Sequence, residues 1–413
     1  MTTATLQNCS KCGLCLSVCP VYKVLMEEQT SPRAKLQLVK YYENKELASS
    51  KSLKDIISKC LMCGNCSAVC PSGINHYSQF MDIRAQMVKN HGENLAIKSL
   101  IYLLADEYRT KLAAGVAKFS QKIIPSHFIK KYNMGSIPLK RLPKLNKMPF
   151  RQSYQANILP SKKQKGIVLY FTGCATNYIF DKTGFATVNI LKQMGYQVII
   201  PEKQTCCGLP LLFHGASDKA GKNILTNIEC FTLGNIKAII VDCPTCGSAL
   251  KNEYPAWLKK NNLDTTQALK ISHKVIDIMT FVLQESNSFK NLNLPAKPTR
   301  FKVTYHLPCH LKNNLTTSNN TEIILNNLPF IDYIRVPDFD KCCGGGGTFF
   351  YEYPGIARTM VKTKTDNIEK SGADILLTDC PVCRINLAGN LQDQDKIVVK
   401  HPIEVIINNE NKT

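Results

Sequence analysis

The chain has 413 residues, 19 cysteines and a formal net charge of +21. Its length allows two or three domains, each with a core of its own. Since 44% of the residues are hydrophobic and 20% are charged, the composition excludes a disordered chain and a membrane-embedded bundle. The best apolar stretch, around Ile101, is broken by Asp106 and Glu107, so we expect no membrane-spanning helix.

The cysteines are the most informative residues of the chain. The N-terminus has neither the basic start nor the apolar segment of a secretory signal, so we expect a cytoplasmic protein. Thiols stay reduced in that compartment. Nineteen cysteines there indicate metal ligation or redox chemistry and not a disulfide framework.

Two cysteine runs with the same spacing stand near the N-terminus. Both read CxxCxxCxxxCP, as in bacterial ferredoxins, where three thiolates of a run hold one iron–sulfur cube and the fourth reaches the other cluster. The two predicted 4Fe-4S ligand sets are therefore Cys9, Cys12, Cys15 and Cys70, and Cys60, Cys63, Cys66 and Cys19. Zinc would leave two cysteines of each run unexplained. Because four thiolates fill each cube, these clusters are expected to carry electrons and not to bind substrate.

Helices are predicted around these runs. The segment SPRAKLQLVKYYENKEL begins with a Ser-Pro helix start and places Leu36, Val39 and Lys40 at helical spacing. After Pro71, the segment YSQFMDIRAQMVKN also favours a helix. Residues 1–90 are thus predicted to form a helical ferredoxin domain with two 4Fe-4S clusters.

Residues 91–160 are predicted to be a helix followed by a basic linker that contains prolines. From 108 to 165 there is no Asp or Glu. This basic segment is either a solvated Lys-rich surface or a docking surface for a partner, such as a quinone-reducing protein, or for the inner face of the membrane. No nucleic-acid-binding motif accompanies the charge, so nucleic acid is the least favoured partner.

The C-terminal half contains an internal repeat, with domains predicted at 161–295 and 296–413. Five cysteine positions recur at offsets of 135 to 137 residues. The first set is Cys174, Cys206, Cys207, Cys243 and Cys246, and the second is Cys309, Cys342, Cys343, Cys380 and Cys383.

Strands and helices alternate around each cysteine set. The segments GIVLYFTG, YQVIIPE and IKAIIVD of the first copy, and FKVTYHL, IDYIRVP and ADILLTD of the second, are predicted strands. Their alternation with helices predicts two parallel sheets. Because ligands bind beyond the carboxyl ends of such strands, where the cysteines lie, five thiolates are expected to converge on one crevice in each domain.

Three occupants of these crevices are consistent with the residues. A multi-iron cluster can bind both vicinal cysteines on different irons, and Gly208 or Gly344 permits the turn that follows them. A structural zinc and a redox disulfide are the alternatives. The remaining cysteine, Cys230, is interpreted as a buried small hydrophobic residue in a helix.

The chain resembles a known family along nearly its whole length. NCSKCGLCLSVCPVY, TSPRAKL and KCLMCGNCSAVCPSGI resemble the glycolate oxidase iron-sulfur subunit. The C-terminal half resembles two copies of the CCG cysteine-rich domain, which is found in that subunit, in the third subunit of anaerobic glycerol-3-phosphate dehydrogenase and in heterodisulfide reductase. CCGLPLLFHGASDKAGKNILTNIE, SGADILLTDCPVC and HPIEV are similar to the glycerol-3-phosphate type. The expected fold is an α-helical ferredoxin domain followed by two tandem α/β parallel-sheet CCG domains.

The resemblance implies an electron-transfer subunit that works with a separate FAD-containing dehydrogenase subunit. The complex would oxidise glycolate or lactate and pass electrons toward quinone, or alternatively oxidise glycerol 3-phosphate. A third interpretation is a heterodisulfide-reductase-like catalytic subunit. In heterodisulfide reductase each five-cysteine set holds a noncubane 4Fe-4S cluster, which implies the same for both sets here. Many glycolate oxidase subunits lack some of these cysteines, whereas this chain has all ten.

Other motifs are weaker. His306 and His310 flank Cys309, and they could donate hydrogen bonds to cluster sulfurs or be packed there without such a role. His214 is a less favoured candidate for such a hydrogen bond. The run from Gly344 to Gly347 lacks the lysine and hydroxyl residue of a phosphate-binding loop, so the flavin is expected on a partner.

Overall fold

The computed structural model describes residues 8–123, 132–231, 234–285, 300–317, 319–392 and 396–407. A helical N-terminal part is followed by two mainly parallel sheets. In these ranges no helix combines the length and the apolar character needed to cross a membrane.

The N-terminal part consists of eight helices within the described residues. They are α1 Leu14–Val18, α2 Pro20–Leu25, α3 Pro32–Glu43, α4 Lys51–Ser58, α5 Asn65–Ala68, α6 His76–His91, α7 Leu95–Leu104 and α8 Glu107–Ile123. Pro20 and Pro32 occupy first-turn positions that need no backbone donor, and the Ser31 hydroxyl accepts from the Ala34 N–H at 3.1 Å. The two helices predicted from the sequence are confirmed as α3 and α6.

The buried face of α3 includes a lysine beside the two apolar residues expected at helical spacing. Leu36 and Val39 are 1% exposed, but the lysine that joins them is Lys35, which is 2% exposed. Lys40 is half-buried on the side of the helix. The local pattern therefore located the apolar face and missed a buried cation next to it.

The first parallel sheet has five strands. They are β3 Asn157–Ile158, β4 Gly166–Phe171, β5 Tyr196–Ile199, β6 Ala238–Val241 and β7 Val275–Asp277, in the order β3-β5-β4-β6-β7. Only β3 pairs in the antiparallel sense. The helices are α9 Gly173–Tyr178, α10 Asp181–Gln193, α11 Leu209–Phe213, α12 Ser217–Cys230, α13 Pro244–Ser248, α14 Tyr254–Lys260, α15 Thr266–Lys274 and α16 Ile278–Gln284. A π-helical turn, Ala249–Glu253, joins α13 to α14.

The second sheet has four parallel strands. They are β8 Phe301–Tyr305, β9 Ile331–Tyr333, β10 Ile375–Leu377 and β11 Val398–Lys400, in the order β11-β10-β8-β9. The helices are α17 Asn320–Asn327, α18 Phe349–Glu352, α19 Pro354–Lys370, α20 Pro381–Asn390 and α21 Pro402–Ile406, and Leu311–Leu315 forms a π-helical turn. All six strands predicted from the sequence are confirmed.

The two sheet domains share one hydrophobic core. Val168 and Tyr170 of β4 belong to the same contact cluster as Val303 and Tyr305 of β8. All four side chains are fully buried. The carboxyl ends of β4 and β8, where the cysteines follow, are therefore held in a fixed relation.

The linker packs on these two domains. It contains the short hairpin strands β1 Asn133–Met134 and β2 Ile137–Pro138. Ile137 and Phe150 are fully buried, and the Arg141 guanidinium donates to the Gly389 carbonyl at 3.1 Å. Residues 124–131 of the basic segment lie outside the described residues. Part of the segment thus covers the chain's own surface, while Lys140 and Lys147 stay exposed.

Helix packing in the first sheet domain can be tested at Gly221 of α12. A Cβ there would lie 2.2 Å from the Trp257 ring of α14. We expect Gly221→Ala to cost ~1–3 kcal/mol of unfolding free energy, the usual range for overpacking. Thermal unfolding can be followed by fluorescence of Trp257, the single tryptophan. Gly115→Ala in α8 meets open space, so it should be neutral or stabilising by up to ~1 kcal/mol. Equal destabilisation by both variants would contradict the packing.

Candidate functional site

The eight ferredoxin cysteines line two separate cavities. One cavity contains the thiols of Cys9, Cys12, Cys15 and Cys70, here called the first ferredoxin site. The other contains Cys19, Cys60, Cys63 and Cys66, here called the second ferredoxin site. In each cavity three cysteines come from one run and the fourth from the other run. Gly13 and Gly64 have φ of +85° and +76°, which lets the two loops turn back around their cavities.

Two buried cations adjoin the second ferredoxin site. Lys35 lines the same cavity, and its ammonium donates to the Lys59 carbonyl. Arg84 is 7% exposed and donates to the Ser58 and Cys60 carbonyls at 2.9 and 2.8 Å. Burial lowers the pKa of Lys35, while the neighbouring thiols, first Cys60 and then Cys19, act in the opposite direction. Among the described residues no carboxylate pairs with Lys35, so a negatively charged group in this cavity would supply the missing counter-charge.

The first CCG site is formed by the five cysteines after β4, β5 and β6. Cys206 and Cys207 follow β5, and Gly208 after them has φ of +81°, as the sequence predicted for the turn. Hydrogen bonds from the Cys206 and Cys246 thiols lower the pKa of Cys207 to about 6. Hydrogen bonds among the thiols and burial raise the pKa of Cys174 and Cys246 well above the usual value, so the thiolate, which is the form that ligates metals, is favoured at Cys207. The full set is Cys174, Cys206, Cys207, Cys243 and Cys246.

The second CCG site repeats this arrangement after β8, β9 and β10. The sulfurs of Cys343 and Cys383 are 3.1 Å apart, and the Gly345 N–H lies 3.4 Å from the Cys343 sulfur. A hydrogen bond from Cys383 lowers the pKa of Cys380 to about 7. The full set is Cys309, Cys342, Cys343, Cys380 and Cys383. Both donor sets are rich in buried sulfur, which suits iron–sulfur clusters and also zinc.

A buried tyrosine–aspartate pair orders the strand ends at each CCG site. The Tyr170 hydroxyl donates to Asp242 at 2.5 Å, and the Tyr305 hydroxyl donates to Asp379 at 2.6 Å. Each aspartate directly precedes a ligand cysteine. Burial raises the pKa of Asp242 to about 6 and that of Asp379 to about 7. The repetition of this contact allows the two sites to be compared position by position.

His310 connects three of the four sites. Its Nε2 donates to the Met62 carbonyl at 3.1 Å, within the loop of the second ferredoxin site. Its Nδ1 therefore accepts from the Thr245 hydroxyl at 3.0 Å, and Thr245 stands between Cys243 and Cys246. The same hydroxyl lies 4.0 Å from the Cys380 sulfur. Both ring nitrogens are thus engaged by groups other than cluster ligands, and His310 acts as a clamp between sites.

His306 has a different environment from His310. It is 1% exposed, and its Nδ1 donates to the Phe339 carbonyl at 3.1 Å. Burial, followed by the charge of Lys364, lowers the pKa of His306 well below its usual value, so the imidazole is neutral. Within the described chain its Nε2 has no hydrogen-bond partner. One ring nitrogen and the sulfurs of Cys343 and Cys383 all lie within 4.8 Å of one another.

His214 lies in a polar contact between the three domains. Its Nε2 is 2.7 Å from the Thr348 hydroxyl, and its Nδ1 is 3.5 Å from Glu93. Burial favours a neutral Glu93, but the hydrogen bonds from His214 and the Asn94 N–H, with the charge of Lys54, lower its pKa to about 2. His214 thus links the helical domain to both sheet domains. Its contacts described here are with Thr348 and Glu93 and not with the ligand cysteines.

Sequence reasoning missed the buried cations. Lys364 of α19 is 3% exposed and donates to the Asp338 and Phe339 carbonyls at 2.5 and 3.3 Å. It shares the buried face of α19 with Val361 and Ile368. That spacing of three and four residues was a usable signal. Cys230, interpreted as buried, is half-buried at the end of α12.

The role of Lys35 gives a direct prediction. Replacing it by methionine keeps the apolar stem and removes the charge that would stabilise a reduced cluster. We expect Lys35→Met to lower the reduction potential of the centre at the second ferredoxin site by ~59 mV for a one-electron couple, which is a tenfold change in its reduction equilibrium. Redox titration followed by EPR measures this shift. Lys40→Met on the same helix is the matched control and should leave all potentials unchanged, and an unaltered titration of Lys35→Met would contradict the assigned role.

Comparison with known proteins agrees with this arrangement. Residues 5–74 match the 4Fe-4S dicluster domain family, and residues 168–251 and 303–388 match the CCG cysteine-rich domain family. The probable glycolate oxidase iron-sulfur subunit of Bacillus subtilis is 27% identical over 409 residues, which cover 94% of this chain and 89% of that protein. The glycolate oxidase iron-sulfur subunit of Escherichia coli is 26% identical, with 97% and 93% covered.

A relative with another activity matches over the same extent. The dihydromethanophenazine:CoB–CoM heterodisulfide reductase of Methanosarcina barkeri contains a subunit that is 26% identical over 432 residues, covering 97% of this chain and 93% of that protein. The domain order and the four thiol sets agree with these matches over nearly the full chain. The chain therefore contains a domain of the 4Fe-4S dicluster family and two domains of the CCG cysteine-rich family, and over nearly its whole length it is similar to the glycolate oxidase iron-sulfur subunits.

Proposed function

We propose that this chain is the iron–sulfur electron-transfer subunit of a flavin-dependent 2-hydroxyacid dehydrogenase complex of the glycolate oxidase type. The complex would oxidise glycolate or lactate to the 2-oxo acid on a separate FAD-containing subunit. Electrons would leave toward quinone. The iron-sulfur subunits of glycolate oxidase among its relatives support this assignment.

The observation that carries the proposal is the contact between the ferredoxin and CCG sites. Cys63 packs in the same contact cluster as Cys309 and Cys342. The thiols of the first CCG site share a second cluster with Cys15 and Cys66 of the ferredoxin domain. Clusters bound at these thiols would supply one-electron transfer. The protein's own contribution is to hold the second ferredoxin and second CCG sites against each other and to bury most of the CCG thiols.

The same contacts indicate which residues would hold the clusters. We assign Cys9, Cys12, Cys15 and Cys70 to one 4Fe-4S cluster and Cys60, Cys63, Cys66 and Cys19 to the other. Further iron–sulfur clusters, of the noncubane type or replaced by zinc, are assigned to the two CCG sets. The uncompensated charge of Lys35 and the sulfur-rich donor sets support these assignments.

A catalytic disulfide reductase is the second candidate, favoured by the heterodisulfide reductase relative. Such an enzyme needs a metal centre within reach of substrate. The vicinal thiols Cys206 and Cys207 are 2% and 3% exposed, and Cys343 and Cys383 of the second site are 2% and 5% exposed. Cys174, Cys309 and Cys342 are half-buried, and none of the ten CCG thiols is fully exposed, which favours electron transfer over direct contact with a disulfide.

Metal analysis of anaerobically purified protein tests the cofactor assignment. We expect roughly sixteen irons per chain, four for each of four clusters. Roughly eight irons together with zinc would restrict the electron path to the ferredoxin domain, and an absence of iron would overturn the proposal. Reduction of the EPR signals by glycolate or lactate, in the presence of a co-purifying flavoprotein, tests the substrate. Reduction by glycerol 3-phosphate alone would favour the other dehydrogenase.

A cysteine variant tests the ligand assignment within the same protein. We expect Cys63→Ala to lose about four irons per chain, because one cube would lack a thiolate. Cys230→Ala removes the one cysteine outside all four sets and should retain the full iron content. Iron and acid-labile sulfide assays check both. The assignment would be wrong if the two variants lost iron equally.

A further inference from the structure

The two CCG sites differ chemically at matching positions. The repeated contacts Tyr170–Asp242 and Tyr305–Asp379 align β4 with β8 residue by residue. The residue after the tyrosine is Phe171 in the first copy and His306 in the second. Both side chains are buried, at 0% and 1% exposure. A hydrocarbon ring in one site is therefore replaced by an imidazole in the other.

The His306 ring is oriented as a metal ligand would be. A carbonyl oxygen can only accept a hydrogen bond, so the contact with Phe339 places the proton of the neutral ring on Nδ1. The lone pair is then on Nε2. Metal-bound histidines commonly donate their other N–H to a backbone carbonyl in this manner.

The ring that carries this nitrogen is next to two cysteines of the second set. Within the described residues Nε2 has no hydrogen-bond partner, and one nitrogen of the same ring lies within 4.8 Å of the Cys343 and Cys383 sulfurs. A buried acceptor without a partner is destabilising, since burial removes the water that would otherwise donate to it. A metal ion bound to these sulfurs would satisfy it.

A second matched position adds a fixed charge to the same site. Gly208 approaches the Ala220 carbonyl and Gly344 approaches the Ala357 carbonyl, which aligns α12 with α19. Seven residues further along each helix stand Asn227 and Lys364. Asn227 donates to the Cys206 carbonyl at 3.2 Å and to the Tyr254 hydroxyl at 2.9 Å. The first site thus has a neutral amide where the second has a buried ammonium.

We propose that His306 Nε2 ligates the metal centre of the second CCG site, and that this nitrogen, with the charge of Lys364, gives that site the higher reduction potential of the two. Where an imidazole takes the place of a thiolate, as His306 would at this centre, the potential of iron–sulfur centres is known to rise, because the imidazole is neutral. A neighbouring positive charge favours the reduced form for the same electrostatic reason. Of the two CCG sites, the second would then hold the electron preferentially. This inference rests on the proposed function, because it requires a redox metal centre there.

Pulsed EPR of the full-length, anaerobically purified wild-type protein tests the ligand directly. The protein is produced with ¹⁵N-histidine and compared with unlabelled protein. A strongly coupled nitrogen that changes with the label is the expected result. Iron at the second CCG site without such a nitrogen would overturn the inference and leave the proposed function intact. Zinc or no metal at that site would overturn the inference and would leave the proposed electron path to the sites that do hold iron.

Variants that give one CCG copy the residue found at the matching position of the other test the reduction potential of the second CCG site. His306→Phe should remove the nitrogen coupling. It should also lower the reduction potential of the second CCG site by at least ~59 mV for a one-electron couple, which is a tenfold change in the reduction equilibrium. Phe171→His is the reciprocal control and should leave the second site's potential unchanged. If His306→Phe does not fold, the labelling experiment still decides. An unchanged potential in folded His306→Phe with full iron content would overturn the inference.

The effect of the Lys364 charge on the reduction potential of the second CCG site is tested separately. Lys364→Asn copies the first site and should lower the same potential while retaining the nitrogen coupling. Lys362→Asn, on an exposed position of the same helix, is the matched control and should change neither quantity. A potential that responds to neither His306→Phe nor Lys364→Asn would contradict the proposed order of the two sites.

Discussion

Thiolates that share a metal site repel one another and must be held together inside the protein. Bringing five of them within one buried crevice is costly unless metal ions and nearby positive groups balance the charge. The chain meets this requirement with hydrogen bonds between thiols, backbone N–H donors such as that of Gly345, and buried cations. The sheets and helices around the sites can be understood as the framework that keeps these groups in place.

The buried cations are not distributed evenly. Lys35 and Arg84 adjoin the second ferredoxin site, and Lys364 adjoins the second CCG site. Asn227 occupies the corresponding position in the first CCG domain. Because a fixed positive charge would stabilise the reduced form of a nearby centre, this distribution would favour reduction at the second ferredoxin and second CCG sites. The two CCG domains thus differ chemically at matching positions.

Contacts between domains bring those centres together. His310 joins the Met62 carbonyl to Thr245, and the Asn313 amide donates to the Cys63 carbonyl at 2.8 Å. The linker adds Ile137 and Phe150 to the hydrophobic clusters around the sheet domains. These contacts leave little freedom for the sites to separate, which suits a protein that passes electrons over short, constant distances.

Spacing and periodicity along the chain were sufficient for the local structure. They predicted the two ferredoxin runs, the repeated five-cysteine sets, six strands and the helices α3 and α6, because each depends on residues close in sequence. They also identified His306 and His310 as candidates without separating their roles. That separation depends on Phe339 and Met62, the latter 248 residues from His310.

Only the tertiary structure decided which groups face each other across the domains. It showed Lys35 and Lys364 on buried helix faces and placed the second ferredoxin site against the second CCG site. Among the described residues it left His306 Nε2 without a hydrogen-bond partner, in a ring beside two sulfurs. The physical reason is that local patterns determine which side of an element is apolar, whereas charge compensation and metal geometry depend on what packs against that side. The sequence by itself determined the cysteine sets and the elements that carry them. The packing of distant elements determined which cysteine sets lie next to each other and how the two CCG sites differ chemically.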